Sequence, residues 1–191
     1  MDMEDNLLIT LKGNFLLAMP ALADPHFYRT VTCISEHNSE GALGIVINRM
    51  TSHLTCKDIF DELNIEHLPG AESIPVYIGG PVHTGEIFIL HSAPFTWRGC
   101  FMITQHLAMS NTMDILQAIA LGNGPTSYII ALGCAGWGPG QLESEIKENS
   151  WLTCSVSEEI LFKLPAEIRW EETVKKMGID PALLSATAGH A

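Results

Sequence analysis

A glycine-rich stretch between residues 133 and 140 is the first place in the sequence where chemistry is conceivable. Four glycines there surround Trp137 and Pro139, and a helical pattern begins at Gln141. Exposed backbone amides at a helix start bind anions, which would suit a phosphate group. The Walker motif is absent, because Gln141 and Leu142 stand where it requires Lys and Ser or Thr, and the G-x-G-x-x-G spacing is absent too. The stretch therefore predicts a tight structural turn, whose glycines let Trp137 and the helix pack close to a sheet.

Nucleophile and metal patterns are equally sparse. Cys134 lies shortly before the predicted helix, where a thiolate is stabilised and can be nucleophilic. We favour the alternative, a small buried hydrophobe, because free cysteine is among the most buried residue types. Ser39 lacks the leading glycine of G-x-S-x-G, and the eight histidines form neither H-x-x-x-H nor H-E-x-x-H. The sequence therefore predicts no metal and no other cofactor, and it assigns no catalytic residue.

Two further segments contain polar side chains or glycines that could contribute to a binding site. Asp24 lies between two prolines, where it can close an Asx turn, and Arg29 follows closely and could pair with a carboxylate. Gly79 and Gly80 precede Pro81 and mark a backbone corner where another group passes close by. That group is either a second loop of the same chain or a bound ligand.

Composition restricts the partners and the compartment. The 191 residues include 22 acids and 10 bases, a formal net charge of −12, and such a field repels phosphate backbones. We therefore expect no direct binding to DNA or RNA, whereas a basic protein partner would suit the charge. Five widely spaced cysteines without C-x-x-C indicate reduced thiols. Because no apolar run approaches the roughly 20 residues of a membrane helix and the N-terminus is acidic rather than signal-like, we expect a cytoplasmic protein without membrane association.

Hydrophobic periodicity predicts the elements that position these residues. Thr55 should cap a helix with Asp58 as the reciprocal residue of a capping box, while Asn111 and Ser157 should cap two others. Further helices are predicted from Gln141 onward and over residues 170–177. Strands are predicted at residues 14–19, 29–36, 42–50, 76–78, 86–91, 100–104, 128–132 and 151–156, with a hairpin loop at 37–41.

The order of these elements indicates the fold class. Strands cluster in the first half of the chain and alternate with helices in the second, which is typical of an α/β or α+β domain with a mixed sheet. We predict one domain over residues 1–191, with its core at about 13–178 and a frayed tail at 185–191.

Several ordered segments of the chain resemble the AlgH/YqgE family of bacterial proteins. They are Gly13–Pro20, Asp24 with Phe27–Val31, Glu40–Asn48, Gly79–Val82, Ala135–Glu143 and Asn149–Trp151. One position departs from the family's pattern, because Cys134 stands where the family usually carries an aromatic residue. A catalytic role shared by the whole family is therefore not expected for this side chain.

The resemblance implies a single α/β domain whose bifurcated mixed β-sheet is curled into a pseudo-barrel and flanked by helices. Some members are described as transcriptional regulators of alginate synthesis, and no catalytic residues are established for the family. We therefore expect a regulatory role, exerted through a protein partner or a small ligand rather than through DNA. The motif residues expected to line the functional surface are Asp24, Arg29, Asn48, Gly79, Gly80, Trp137, Gln141 and Glu143.

These residues support two hypotheses. In the first, Arg29 holds an anion or carboxylate, Gln141 and Glu143 make polar contacts, and the glycines admit a ligand against the backbone. The alternative is an enzyme, a hydrolase or transferase acting on a small phosphorylated or acyl compound. The alternative requires Asp24, Arg29 and Glu143 within hydrogen-bond reach of one another.

Overall fold

The computed structural model describes residues 10–22 and 24–184. The strands of this part of the chain are β1 (Asn14–Ala18), β2 (Val31–Asn38), β3 (Gly41–Val46), β4 (Val76–Ile78), β5 (Val82–His91), β6 (Phe101–Met102), β7 (Ala108–Ser110), β8 (Tyr128–Trp137) and β9 (Trp151–Ser155). The α-helices are α1 (Cys56–Glu62), α2 (Met113–Ala120), α3 (Gln141–Lys147) and α4 (Arg169–Lys176), and a π-helical turn spans Glu159–Lys163. Short 3₁₀ turns span Ala71–Ser73, Ala166–Ile168 and Pro181–Leu183. The predicted frayed tail at 185–191 lies outside the described residues.

The strands form one mixed sheet that is curled into a half-barrel. Along its main path the order is β6-β7-β5-β8-β3-β2-β1-β9, and neighbours on this path are antiparallel. β4 lies off the path and pairs in parallel with β8. The arrangement confirms the single α/β domain with a bifurcated, curled mixed sheet that the resemblance implied.

The sheet forks where the chain after β4 enters between β3 and β8. β3 pairs directly with β8 only at residues Ala42–Gly44. Beyond that point Val46 N–H donates to the carbonyl of Gly79, and Gly79 N–H donates to the carbonyl of Leu132 in β8, both at 2.8 Å. Gly79 therefore bonds to both arms of the fork.

Helices cover both faces of the sheet because successive strand residues point to opposite faces. On one face α1 and α2 pack on Ile89 and Ile130. On the other face α4 and the π-helical turn share a core with the next residue of β5, Leu90. A third apolar cluster joins α3 to the aromatic side chains of Trp137 and Trp151.

The helix caps agree with the sequence in one case and differ in two. Thr55 and Asp58 form the predicted capping box of α1. The prediction for Asn111 is wrong, because Thr112 has the extended N-cap conformation and its hydroxyl donates to Asp114 at 2.6 Å. The prediction for Ser157 is wrong as well, because the chain there forms a π-helical turn whose N-cap is Glu158.

The strand predictions fail mainly in length. β8 continues to Trp137 instead of ending at Leu132, because its last residues pair with β3. The predicted turn at 133–140 is therefore wrong, and the chain turns only at 138–140 before α3. The hairpin between β2 and β3 also has a shorter loop than predicted, since Asn38 pairs with Gly41. β7 was not predicted, and β6 contains only two of the residues predicted as a strand at 100–104.

Candidate functional site

The polar groups near the start of α3 are engaged in contacts within the protein. Glu145 Oε2 accepts hydrogen bonds from two indoles, from Trp137 Nε1 at 2.9 Å and from Trp151 Nε1 at 2.8 Å. The other carboxylate oxygen accepts from Gln141 Nε2 at 2.8 Å. Phe27 packs edge-on against Trp151, with the ring centroids 5.4 Å apart. Glu145 therefore connects the end of β8, the start of β9 and the first turn of α3.

Glu143, on the same helix, is paired with a buried histidine. Its Oε1 lies 2.9 Å from Nε2 of His37, whose side chain is 1% exposed. Because His37 Nδ1 accepts from Leu11 N–H at 2.9 Å, Nε2 carries the ring proton and donates it to the carboxylate. The backbone amide of Glu143 and the His37 ring lower the pKa of Glu143 by hydrogen bonding to its charged form. Like Trp137 and Gln141, Glu143 thus makes a polar contact with another residue of the chain, although its own side chain is 35% exposed.

We expect Glu145→Ala to lower the free energy of unfolding by about 2 kcal/mol, because three donors lose a charged acceptor. Urea denaturation followed by tryptophan fluorescence would measure the change. Glu148→Ala is the matched control, since Glu148 is exposed at the end of the same helix and accepts one hydrogen bond at 3.2 Å. Equal stability of the two variants would contradict the connecting role of Glu145.

Arg29 and Asn48 are placed together by the start of β2. Arg29 adopts a left-handed backbone with φ of 50°, and its guanidinium carbon lies 4.5 Å from the ring centroid of Trp170. Asn48 Oδ1 accepts from Val31 N–H at 2.8 Å, and its Nδ2 donates to the carbonyl of Arg29 at 2.9 Å. Asn48 therefore fastens the start of β2 to the chain that leaves β3, and its amide is committed to backbone contacts.

Asp24 orients His26 rather than Arg29. Its Oδ1 accepts from the backbone N–H of His26 at 2.8 Å, which is the Asx turn that the sequence predicted, and it lies 3.0 Å from Nδ1 of the same residue. Because a carboxylate oxygen accepts this hydrogen bond, Nδ1 of His26 carries a proton. Nε2, on the other side of the exposed ring, is then free to contact a ligand. Within residues 10–22 and 24–184, no hydrogen bond or ion pair joins Asp24, Arg29 and Glu143.

A cleft of about 340 Å³ opens between the Asp24 turn and the Gly79–Gly80 corner. Its lining combines two basic side chains, a hydroxyl and an apolar wall, from His26, Val46, Arg49, Ile78, Gly80, Pro81 and Thr84. Two of the segments that carry the family resemblance, Glu40–Asn48 and Gly79–Val82, contribute to this lining, and Asp24 of a third holds His26 in place. The cleft therefore brings together parts of the chain that are distant in sequence.

Arg49 supplies the fixed positive charge of this cleft. Its Nη2 donates to the carbonyl oxygens of Pro25 at 3.1 Å and Tyr28 at 3.0 Å. In the part of the chain that the structure describes, Nη1 and Nε make no hydrogen bond, so these donors are available to a ligand. Arg49 directly follows Asn48 of the motif but is not among the site residues predicted from the sequence.

The cleft can hold a small anionic group. A guanidinium presents a planar set of donors that matches a carboxylate or a phosphate, and here two backbone carbonyls hold it in place. His26 adds an imidazole to the lining, and the Thr84 hydroxyl can donate a hydrogen bond. No carboxylate is among the described residues that line the cleft, and the carboxylate of Asp24, beside the cleft, is hydrogen-bonded to His26 at 3.0 Å.

The other sequence candidates carry no reactive site. Cys134 lies within β8 with 1% of its surface exposed, and burial raises the pKa of its thiol. This confirms the interpretation of Cys134 as a small buried residue. No group of three His, Cys, Asp or Glu side chains among residues 10–22 and 24–184 could hold a metal ion. The helices in that part of the chain are also too short or too polar to cross a membrane.

Comparison with known proteins shows that the chain is similar to a family of bacterial proteins. Residues 15–182 match the family described as AlgH-like. A UPF0301 protein of Desulforapulum autotrophicum is 51% identical over 88% of this chain and 89% of its own length. Another, from Pseudomonas aeruginosa strain UCBPP-PA14, is 46% identical over 95% of this chain and 96% of its own length.

Two solved structures share the fold. The solution structure of the AlgH protein from Pseudomonas aeruginosa superposes with a TM-score of 0.79 at 42% sequence identity, and the match covers 100% of both chains. A crystal structure of a Corynebacterium diphtheriae protein gives a TM-score of 0.69 at 19% identity over 87% of each chain, a similarity of fold alone.

Proposed function

The chain belongs to the AlgH-like family, and from this premise we propose that it is a cytoplasmic regulatory protein whose cleft around Arg49 binds a small anionic ligand. The anchored guanidinium of Arg49 is the observation that carries the proposal, because a charge held by two backbone carbonyls is already oriented before a ligand arrives. The five free cysteines of the chain support a reducing compartment.

Size and charge favour a small ligand over nucleic acid. The cleft volume of about 340 Å³ is at the lower end of the range of small-molecule sites. The net charge of −12 opposes a long polyanion. A small anion inside the cleft is affected mostly by nearby groups, because salt screens charges beyond about 8 Å at physiological ionic strength. We therefore expect the guanidinium of Arg49, the fixed charge in the cleft, to dominate the binding of such an anion.

The contacts of the predicted site residues argue against the enzyme hypothesis. A hydrolase or transferase built on Asp24, Arg29 and Glu143 would need the three side chains together, whereas Asp24 holds His26, Arg29 stacks on Trp170, and Glu143 binds His37. The three side chains therefore do not form one site in which an acid, a base and an anion-binding group act on the same substrate. A binding function is the better supported alternative.

The first test is calorimetric titration of the protein with sodium phosphate, citrate and adenosine monophosphate. We expect at least one of these anions to bind, and Arg49→Gln to weaken its binding about 10- to 100-fold, which corresponds to one charged hydrogen-bonding group. Thr84→Val should weaken binding less, because a neutral hydroxyl contributes less than a guanidinium.

Arg98→Gln is the matched control, because Arg98 is exposed outside the cleft and the substitution removes the same charge. Thermal unfolding of each variant would show whether the fold is retained. A lack of saturable heat with all three anions would contradict the proposal, as would equal weakening by Arg49→Gln and Arg98→Gln.

A further inference from the structure

A shallow apolar groove lies between α1 and α2. It consists of two adjoining hollows of about 340 and 200 Å³, which share Leu63, Gly85 and Ile87. The first hollow is bounded by α1 and the second by the start of α2. Both are separate from the Arg49 cleft, with which they share no lining residue.

Apolar side chains reach the surface on both walls of this groove. Leu63 is 37% exposed on the α1 side, and Met113 is 46% exposed on the α2 side. The floor between them is open at Gly85, where an added Cβ would meet no atom within 4 Å. Two exposed apolar walls around an open floor are typical of grooves that receive an apolar surface from a partner.

The groove also has a single sign of charge. Its lining includes the carboxylates of Asp58, Glu62 and Glu86, and no lysine or arginine among the described residues lines either hollow. Asp58 is the reciprocal residue of the α1 capping box, where hydrogen bonds from the side chain and backbone of the N-cap residue Thr55 stabilise its charged form. Glu86 Oε1 lies 3.1 Å from Nδ1 of His83.

We infer that this groove binds an amphipathic helix of a basic partner protein, with apolar residues spaced i, i+3, i+4 and i+7 toward the floor and lysine or arginine toward the rim. The helix-in-groove mode fits two helical walls with an apolar floor. The acidic rim selects the charge of the partner, since opposite charges steer association and like charges oppose it. A second copy of this chain, with a net charge of −12, and an anionic membrane surface are disfavoured for the same reason.

The test uses a fluorescein-labelled peptide of 16 residues that contains only leucine and lysine in this helical spacing, and a scrambled peptide of the same composition. Fluorescence anisotropy of the full chain should show saturable binding of the patterned peptide, about tenfold tighter than that of the scrambled one. Glu62→Lys should weaken binding of the patterned peptide about tenfold, because it reverses one charge at the rim.

Two controls separate the groove from the overall charge. Glu167→Lys makes the same charge change at an exposed position beside α4, and Leu183→Ser removes an apolar side chain that is 77% exposed elsewhere. We expect both to change peptide affinity less than about twofold, whereas the double variant Leu63→Ser with Met113→Ser should lose about tenfold. Both groove positions are partly exposed, so the fold should be retained.

Three results would overturn the inference. The first is equal weakening by Glu62→Lys and Glu167→Lys, and the second is equal affinity for the two peptides. The third is sedimentation of the protein as a dimer that dissociates in the Leu63→Ser with Met113→Ser variant, because the groove would then be occupied by a second copy. Phosphate titration of the groove variants is independent of this test, since none of the substitutions touches the Arg49 cleft.

Discussion

Gly79→Ala is expected to lower the free energy of unfolding by about 3 kcal/mol, at the upper end of the usual cost of overpacking. Gly79 lies at the fork of the sheet, where its backbone bonds to β3 and to β8. An added Cβ would overlap the carbonyl oxygen of Gly133 and lie 3.1 Å from Cβ of Ala131. The obstructing atom is backbone in a central strand, so it cannot move away without loss of the strand pairing. The measurement is urea denaturation followed by circular dichroism.

Gly85→Ala is the matched control for this prediction. Gly85 follows a few residues later, in β5, and an added Cβ there would meet nothing within 4 Å. We expect its effect to stay within about 0.5 kcal/mol, as for surface substitutions generally. If both alanine variants unfold at the same urea concentration, the fork tolerates a side chain and the steric argument is wrong.

Local signals in the sequence are sufficient where one segment determines its own structure. The capping box of Thr55 and Asp58 was predicted because both partners lie within one turn, and the structure confirms it. The inward face of α2, with Ile115 and Ile119, follows the 3.6-residue period of the helix and is buried. The same holds for the Asx turn of Asp24, which needs only the backbone two residues ahead.

Signals fail where a distant segment determines the structure. Gly133 was assigned to a turn because glycine marks turns, yet it lies in β8 with φ of 72°. A Cβ there would lie 2.6 Å from the carbonyl oxygen of Gly80 and 2.9 Å from that of Val82. The pairing of β5 with β8 shifts register in the same region, after Val82. Glycine is therefore required by close contact with another strand, which one segment cannot show.

The residues of the candidate site likewise depend on contacts with distant parts of the chain, which the sequence does not show. Trp137, Gln141 and Glu143 are expected at the functional surface because they lie in the motif segments, whereas their hydrogen-bond partners depend on the fold, and His37 is more than a hundred residues from Glu143. Arg49 was not selected because its importance depends on carbonyl groups more than twenty residues earlier in the chain. Only the tertiary structure shows which of these polar groups remain free.

The two proposed sites are neighbours along β5. Thr84 lines the Arg49 cleft, whereas Gly85 and Glu86 line the groove between α1 and α2. Residues at this end of β5 are exposed, and the strand regains regular pairing with β8 only at Ile87. A regulatory role requires that ligand and partner influence each other, and any such influence must be reciprocal in free energy. Thr84 and Gly85 are consecutive residues, so the two proposed sites are directly connected along the chain.

Arg169→Met is expected to lower the free energy of unfolding by about 3 kcal/mol, because a buried carbonyl group and a partly buried one lose a charged donor. Arg169 is 4% exposed, and its guanidinium donates to the carbonyl oxygens of Leu164 and Ile47. Its guanidinium carbon also lies 5.3 Å from the ring centroid of Tyr77. Ile47 is two residues before Arg49, so this contact supports the segment that positions the cleft. Chemical denaturation would measure the loss, and phosphate titration of the folded variant would measure its effect on the cleft.

The desolvation of the buried Arg169 guanidinium opposes this expected loss of stability. Among residues 10–22 and 24–184, no carboxylate forms an ion pair with Arg169, so its desolvation is offset only by carbonyl oxygens and an aromatic ring. A buried charge can be replaced by an apolar side chain with a gain in stability when desolvation outweighs its contacts. We expect the contacts to dominate because the Ile47 carbonyl would remain buried without its donor and the Leu164 carbonyl partly buried. Arg169→Lys should then show an intermediate loss and Arg98→Met almost none, whereas an Arg169→Met variant as stable as the parent would mean that desolvation dominates at this position.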